Sequence, residues 1–108
     1  MKDVQFTDSI PLQDLGDGVS RKIRSYNEDL MLVEVHFEQG GVGAVHKHEH
    51  LQATYILEGV FEFTKEGEPV MVRKGDTILF AKNEQHGALC IEKGVVLDIF
   101  TPYRKDFV

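Results

Sequence analysis

The 108-residue chain has only one cysteine, Cys90. It therefore cannot build an intramolecular disulfide framework, and it fits a reducing compartment; a cytoplasmic location is expected. No apolar run approaches the length needed to cross a bilayer as a helix, so no membrane partner is expected. The opening residues Met1-Lys2-Asp3-Val4-Gln5-Phe6 lack the basic and apolar regions of a secretory leader. Positive charge is also short: 12 Lys and Arg stand against 18 Asp and Glu, a net charge of −6. Non-specific nucleic-acid binding relies on a positive field, so nucleic acid is excluded as an expected partner. An anion bound by so acidic a protein must be held by local charges, such as a metal ion and a positioned arginine.

Convincing helical periodicity, internal repeats and linkers are absent as well. What remains reads as short strands separated by turns. With 42% hydrophobic residues the chain can bury one core but not two, and a single domain over residues 1–108 is expected. Met31, Val33, Val35 and Phe37 alternate with a more polar set. Thr54 to Thr64 is β-branched and aromatic, with a tight turn expected at Glu58-Gly59 and a hairpin loop at Glu66-Gly67-Glu68-Pro69. Val70 to Arg73 and Thr77 to Ala81 read as strands. Glu92-Lys93-Gly94 reads as a turn between His86–Ile91 and Val95–Thr101. Tyr55, Phe61 and Phe63 are expected in the core. The basic run Arg21-Lys22-Ile23-Arg24 is expected at a solvated strand end or a dimer contact. Short strands at regular spacing with glycine turns indicate an all-β sandwich or barrel of the jelly-roll kind.

Histidine is where chemistry concentrates. His46 and His48 are two apart, and on an extended strand such residues share a face. Gln52 follows with an amide oxygen, and His86 can join them only through tertiary folding. Three imidazoles and one oxygen suit Zn, Ni, Fe or Mn and leave positions open for water or substrate. His36 and His50 fit ordinary surface or hydrogen-bonded histidines, although His50 continues the face of His46 and His48 and can support the site from behind. Cys90, four residues after His86, reads as a small buried cysteine.

Gly40-x5-His46-x-His48-x3-Gln52-x6-Gly59 resembles the first cupin motif, with glutamine in place of the usual glutamate. Gly75 to Cys90 resembles the second motif. It departs at Ala81 for proline, Asn83 for glycine and Cys90 for asparagine. Asparagine tolerates the left-handed conformation better than most residues, so Asn83 suits the turn. The resemblance implies a single-domain cupin jelly roll and the metal set His46, His48, Gln52 and His86. A neutral glutamine leaves the charge of a divalent cation uncompensated, which strengthens it as a Lewis acid. Drift of a structural site reads equally well from the substitution alone.

The segment Val95 to Thr101 is an apolar strand interrupted by Asp98, which shares a face with Phe100. A buried carboxylate is costly unless paired. Catalysis and an ion pair with Arg104 or a lysine closing the barrel mouth are both open on this physics. The run Asp98-Ile99-Phe100-Thr101-Pro102-Tyr103-Arg104-Lys105-Asp106-Phe107 is similar to the KdgF family of pectin-degradation cupins, as are Gly40 to His46 and Glu58 to Phe63. Tyr103, Lys105 and Leu51 depart from that family's pattern. The resemblance implies metal-dependent ketonisation of a 4,5-unsaturated monouronate, a small anionic sugar. It assigns Asp98 as acid/base, Arg104 as the carboxylate holder and Phe100 as a ring-packing residue. An iron-dependent cupin dioxygenase and a non-catalytic sugar-acid binding module are the rival expectations. A homodimer is expected, because pairing covers exposed sheet edges.

Overall fold

The computed structural model describes residues 3–108. Met1 and Lys2, the start of the segment expected to carry no leader, lie outside the described residues. Eight strands follow in order: β1 (Gln13–Gly16), β2 (Val19–Tyr26), β3 (Met31–Phe37), β4 (Val42–His46), β5 (Leu51–Lys65), β6 (Glu68–Arg73), β7 (Thr77–Phe80) and β8 (His86–Thr101). Two single-turn 3-10 helices, Thr7–Ser9 and Lys105–Phe107, flank them. No helix among the described residues is long and apolar enough to cross a membrane. The strands pair antiparallel in the order β1-β2-β3-β8-β5-β6, with β4 added to β8 and β7 added to β5. This is the all-β jelly roll expected from the strand and turn spacing.

Side-chain alternation explains the core. Met31, Val33 and Phe37 of β3 point inward and are buried, with Val35 half-buried between them. Ile56, Phe61 and Phe63 from β5 meet Phe80 of β7 and Val96 of β8 in the main cluster. Met31, Val33 and Phe100 form a second cluster under Tyr103 and Phe107. Tyr55 departs from expectation: it is 43% exposed, while Phe61 and Phe63 are buried. Gln52, Thr54 and Ile56 all face inward, so the odd-numbered Tyr55 must face out.

Two expected turns are also absent. β5 and β8 run unbroken through Glu58-Gly59 and Glu92-Lys93-Gly94, and their ladder shifts register between Ile56 and Phe61. The glycines serve a bulge between two long strands instead of reversing the chain. Gly59 sits at φ +88°, and a Cβ there would lie 2.6 Å from Glu92 O, Lys93 O and Gly94 Cα. Gly59→Ala is therefore expected to cost about 3 kcal/mol or more, read as a lowered midpoint in urea unfolding.

The hairpin at Glu66-Gly67 is present, but only those two residues turn, at φ +49° and +79°. Glu68 and Pro69 already pair with Lys65 and Thr64, and Pro69 is tolerated because β6 is an edge strand. Asn83 adopts φ +62°, the left-handed conformation anticipated for it. Arg21 to Arg24 lie inside β2, where Arg24 pairs with Glu34 at 2.8 Å.

Candidate metal centre

His46 closes β4 and stands directly across from His86, the first residue of β8. His48 lies just beyond the end of β4, so a bend rather than strand alternation brings it to the same point. The ring centroids of His86 lie 4.5 Å from those of His46 and 5.0 Å from those of His48. One ligand nitrogen from each of the three lies within 4.8 Å of the others.

Main-chain carbonyls orient all three rings. Nδ1 of His46 meets Ala44 O at 2.8 Å, Nδ1 of His48 meets His50 O at 3.0 Å, and Nδ1 of His86 meets Glu84 O at 2.9 Å. With each Nδ1–H donating, each Nε2 keeps its lone pair, the state a metal ligand needs. Burial holds the His86 imidazole down at about 4, helped by the neighbouring histidines. Its Nε2 is buried without a partner among the described residues. Phe80 stacks on the same ring at 4.4 Å between centroids.

The loop before β8 fixes two of the candidate ligands at once. Asn83 N–H donates to His48 O at 2.7 Å, and Glu84 supplies the carbonyl that orients His86. The Glu84 carboxylate in turn accepts from Lys65 Nζ at 2.6 Å and from the Ala81 amide at 2.9 Å.

Gln52 is buried on β5 between Phe80 and Phe100. Its Nε2 donates to Thr54 Oγ1 at 2.9 Å and to Asp98 Oδ1 at 3.2 Å, which turns Oε1 to His48 Nε2 at 2.9 Å. Two lone-pair atoms then face each other. That separation is compatible with two donors on one ion at bonds of about 2.0–2.1 Å. The orphaned His86 nitrogen and this facing pair both fit a divalent transition cation, with Zn, Ni, Fe and Mn all compatible with the donors.

Thr54, which the motifs did not single out, completes the far side. Its hydroxyl donates to Asp98 Oδ1 at 2.7 Å across the β5–β8 ladder, where the two residues are direct partners. Its signal in the sequence is the two-residue spacing from Gln52. Burial pushes the Asp98 carboxyl up to about 6, against the opposing pull of the Thr54 and Gln52 hydrogen bonds and the Arg104 charge. Both protonation states are thus within reach near neutral pH. An Asp98–Arg104 ion pair, one of the two readings of this carboxylate, is not formed: Arg104 pairs with Asp106.

Asp98, Phe100, Gln52, His46 and His86 line one cavity of about 140 Å³. That is small beside the roughly 300–1,000 Å³ of drug-sized pockets. Phe100 is buried, 5.6 Å from the His48 ring and 5.1 Å from the Arg104 guanidinium carbon. His50 contributes its carbonyl to His48 but not its ring to the histidine cluster. Cys90 is buried in the main core, with Sγ 3.0 Å from Glu92 O, and does not line the cavity. His36 pairs with Glu34 on β3.

Comparison with known proteins agrees with this geometry. The model of the cupin domain family matches residues 33–100. The pectin degradation protein KdgF of Dickeya dadantii (strain 3937) is 45% identical over 103 residues, covering 94% of each chain. The solved structure of KdgF from Halomonas sp. aligns with a TM-score of 0.91 at 37% identity, over 95% of this chain and 96% of that one. An RmlC-like cupin from Shewanella frigidimarina NCIMB 400 aligns with a TM-score of 0.95 at 33% identity, over 100% and 97%. With three clustered histidines at the mouth of a jelly roll, the chain belongs to the cupin family and, within it, to the KdgF pectin-degradation proteins.

Proposed function

We propose that the protein ketonises a 4,5-unsaturated monouronate, opening its cyclic hemiacetal and converting the enol to a linear keto acid. The observation that carries this reading is the half-buried Asp98 carboxyl, joined through Gln52 to the histidine cluster in one cavity of about 140 Å³. The name of the Dickeya relative, a pectin degradation protein, supports the substrate class.

The reaction is an isomerisation. The anomeric hydroxyl loses its proton, the bond from the anomeric carbon to the ring oxygen breaks, and a proton arrives at C4 as C5 becomes a ketone. Asp98 takes the first proton and delivers the second, which requires a carboxyl able to hold and release one near neutral pH. Thr54 and Gln52 fix the Asp98 oxygen that they bond, leaving its other oxygen for the substrate. Arg104 binds the substrate carboxylate by charge-assisted hydrogen bonds. Phe100 packs against the sugar ring and excludes water. A divalent cation held by His46, His48, Gln52 and His86 supplies Lewis-acid stabilisation of the negative charge that develops on oxygen.

Gln52→Glu tests the coupling between the two halves. The variant loses the N–H that Asp98 accepts and sets a second carboxylate beside it. Turnover is expected to fall roughly 10–100-fold, with metal content by elemental analysis retained. The test of the whole reading is the ultraviolet absorbance loss of a freshly generated unsaturated monouronate. Metal-loaded protein should accelerate it, and chelated protein should not. Arg104→Ala should lower kcat/KM by about 10–100-fold, the worth of a charge-assisted hydrogen bond. Decay at the spontaneous rate with folded, metal-loaded protein would remove the proposal.

A cytoplasmic homodimer belongs to the same reading. On the outward face, Leu79, Ala53, Ile99 and Leu32 stand in one row across β7, β5, β8 and β3. Leu79 is 59% exposed there, and Tyr55 and Leu57 extend the apolar surface. Sedimentation velocity should give twice the chain mass, and a monomer would discard this part.

A further inference from the structure

Among the described residues, the guanidinium of Arg104 is hydrogen-bonded along one edge only. Its Nε–H and Nη2–H donate to the two oxygens of Asp106 at 3.1 and 2.9 Å. Arg104 is largely covered, its side chain 11% exposed, whereas Asp106 is 59% exposed. A guanidinium carries five N–H donors, so this pair leaves the end formed by Nη1 and the remaining Nη2 hydrogen free for another acceptor.

The plane is fixed too. The Arg104 guanidinium carbon lies 4.2 Å from the Phe107 ring centroid and 5.1 Å from that of Phe100. Phe107 also carries the Arg21 guanidinium, at 4.0 Å, and Arg21 is tied by Nε–H to Gln13 Oε1 at 3.0 Å. Among the described residues Arg104 is the ion-pair partner of Asp106, and Arg21, over the same Phe107 ring, feels the Asp106 charge without pairing to it. The Arg104 charge is felt at Asp98, His48 and His86, and its guanidinium lies against Phe100, which lines the cavity, although Arg104 itself does not. Its guanidinium also holds the Asp106 carboxyl below the usual range, so Asp106 stays ionised.

We propose that Asp106 is a positioning residue, which grips the side edge of Arg104 and so presents its end edge to the carboxylate of the substrate. This inference rests on the uronate reading and deepens it. Arg104 touches the substrate; Asp106 acts through Arg104, and Phe107, shared with Arg21, keeps the plane in place. A merely competing carboxylate would give the opposite sign, because its removal would free Arg104 and tighten binding.

The experiment compares metal-loaded wild type, Asp106→Ala and Asp106→Glu, each checked for fold by circular dichroism. In ketonisation, Asp106→Ala should raise KM about tenfold with kcat within about twofold, and Asp106→Glu should recover most of the loss. A readout without turnover uses calorimetric titration with D-galacturonate and with neutral D-galactose. Wild type should prefer the acid, and Asp106→Ala should lose that preference. With wild type active, an unchanged or lowered KM in Asp106→Ala, a fall confined to kcat, or no recovery in Asp106→Glu would overturn the positioning role and leave the uronate reading intact. Inactive wild type that binds neither sugar would overturn both.

Discussion

Asp98→Asn is expected to slow ketonisation by about 10²–10⁴-fold, the usual worth of a positioned acid/base, without unfolding the barrel. Asparagine keeps the shape and an acceptor for the Thr54 hydroxyl and the Gln52 amide, so the network at 2.7 and 3.2 Å can survive. What is lost is the capacity to take and return a proton. Stability should hold or rise, because burying an ionised carboxylate opposes folding and the neutral amide relieves that cost. The check is paired: absorbance kinetics on the unsaturated monouronate, and thermal unfolding of the same samples. Loss of activity with an unchanged or higher Tm supports a catalytic carboxylate. A large fall in Tm would make Asp98 a structural residue instead.

Removing the metal is expected to produce the second large effect, on stability as well as on rate. Three imidazoles converge, and among the described residues the buried His86 Nε2 lacks a partner. An ion that binds the folded state alone stabilises it by about 2.7 kcal/mol at 100 times its dissociation constant. In a domain of this size each kcal/mol moves Tm by roughly 4–8 °C, so chelation should lower Tm by about 10–20 °C. Differential scanning calorimetry with and without chelator, followed by readdition of Zn, Ni, Fe or Mn, measures it. His86→Ala should abolish the dependence on added metal. A Tm indifferent to chelator in the wild type would remove the metal from the proposal.

The part of the site legible in the sequence was the part that depends on spacing. His46, His48 and His86 converge as their motif positions implied, although a bend, not strand alternation, delivers His48. Asp98 and Phe100 share the inward face, as residues two apart on a strand must. The parts that depend on which strand lies opposite were hidden. Thr54 matters because the ladder sets it across from Asp98, and the sequence does not print that register. Gly59 marked a change in the backbone, but a positive φ serves a bulge as well as a turn. Tyr55 was misplaced through an error of parity: with Gln52 facing inward, a residue three positions on must face out. Asp106 carried no signal of its own, because its pairing with Arg104 is a matter of side-chain geometry.

The position of β8 has a consequence for how the molecule comes into being. It follows every other strand in the sequence yet lies in the middle of the sheet, paired with β3, β4 and β5. A growing chain can close the β2–β3 and β5–β6 hairpins early, but these have no shared centre until residues 86–101 emerge. The contacts that then form, such as Gln52 with Phe100 and Met31 with Phe100, span long stretches of chain. Topologies of this kind fold on the slow side, in milliseconds to seconds. Asp98 arrives on that same final strand. The acid/base function proposed for Asp98 therefore needs the last strand in place, and would appear in the same event as the native fold.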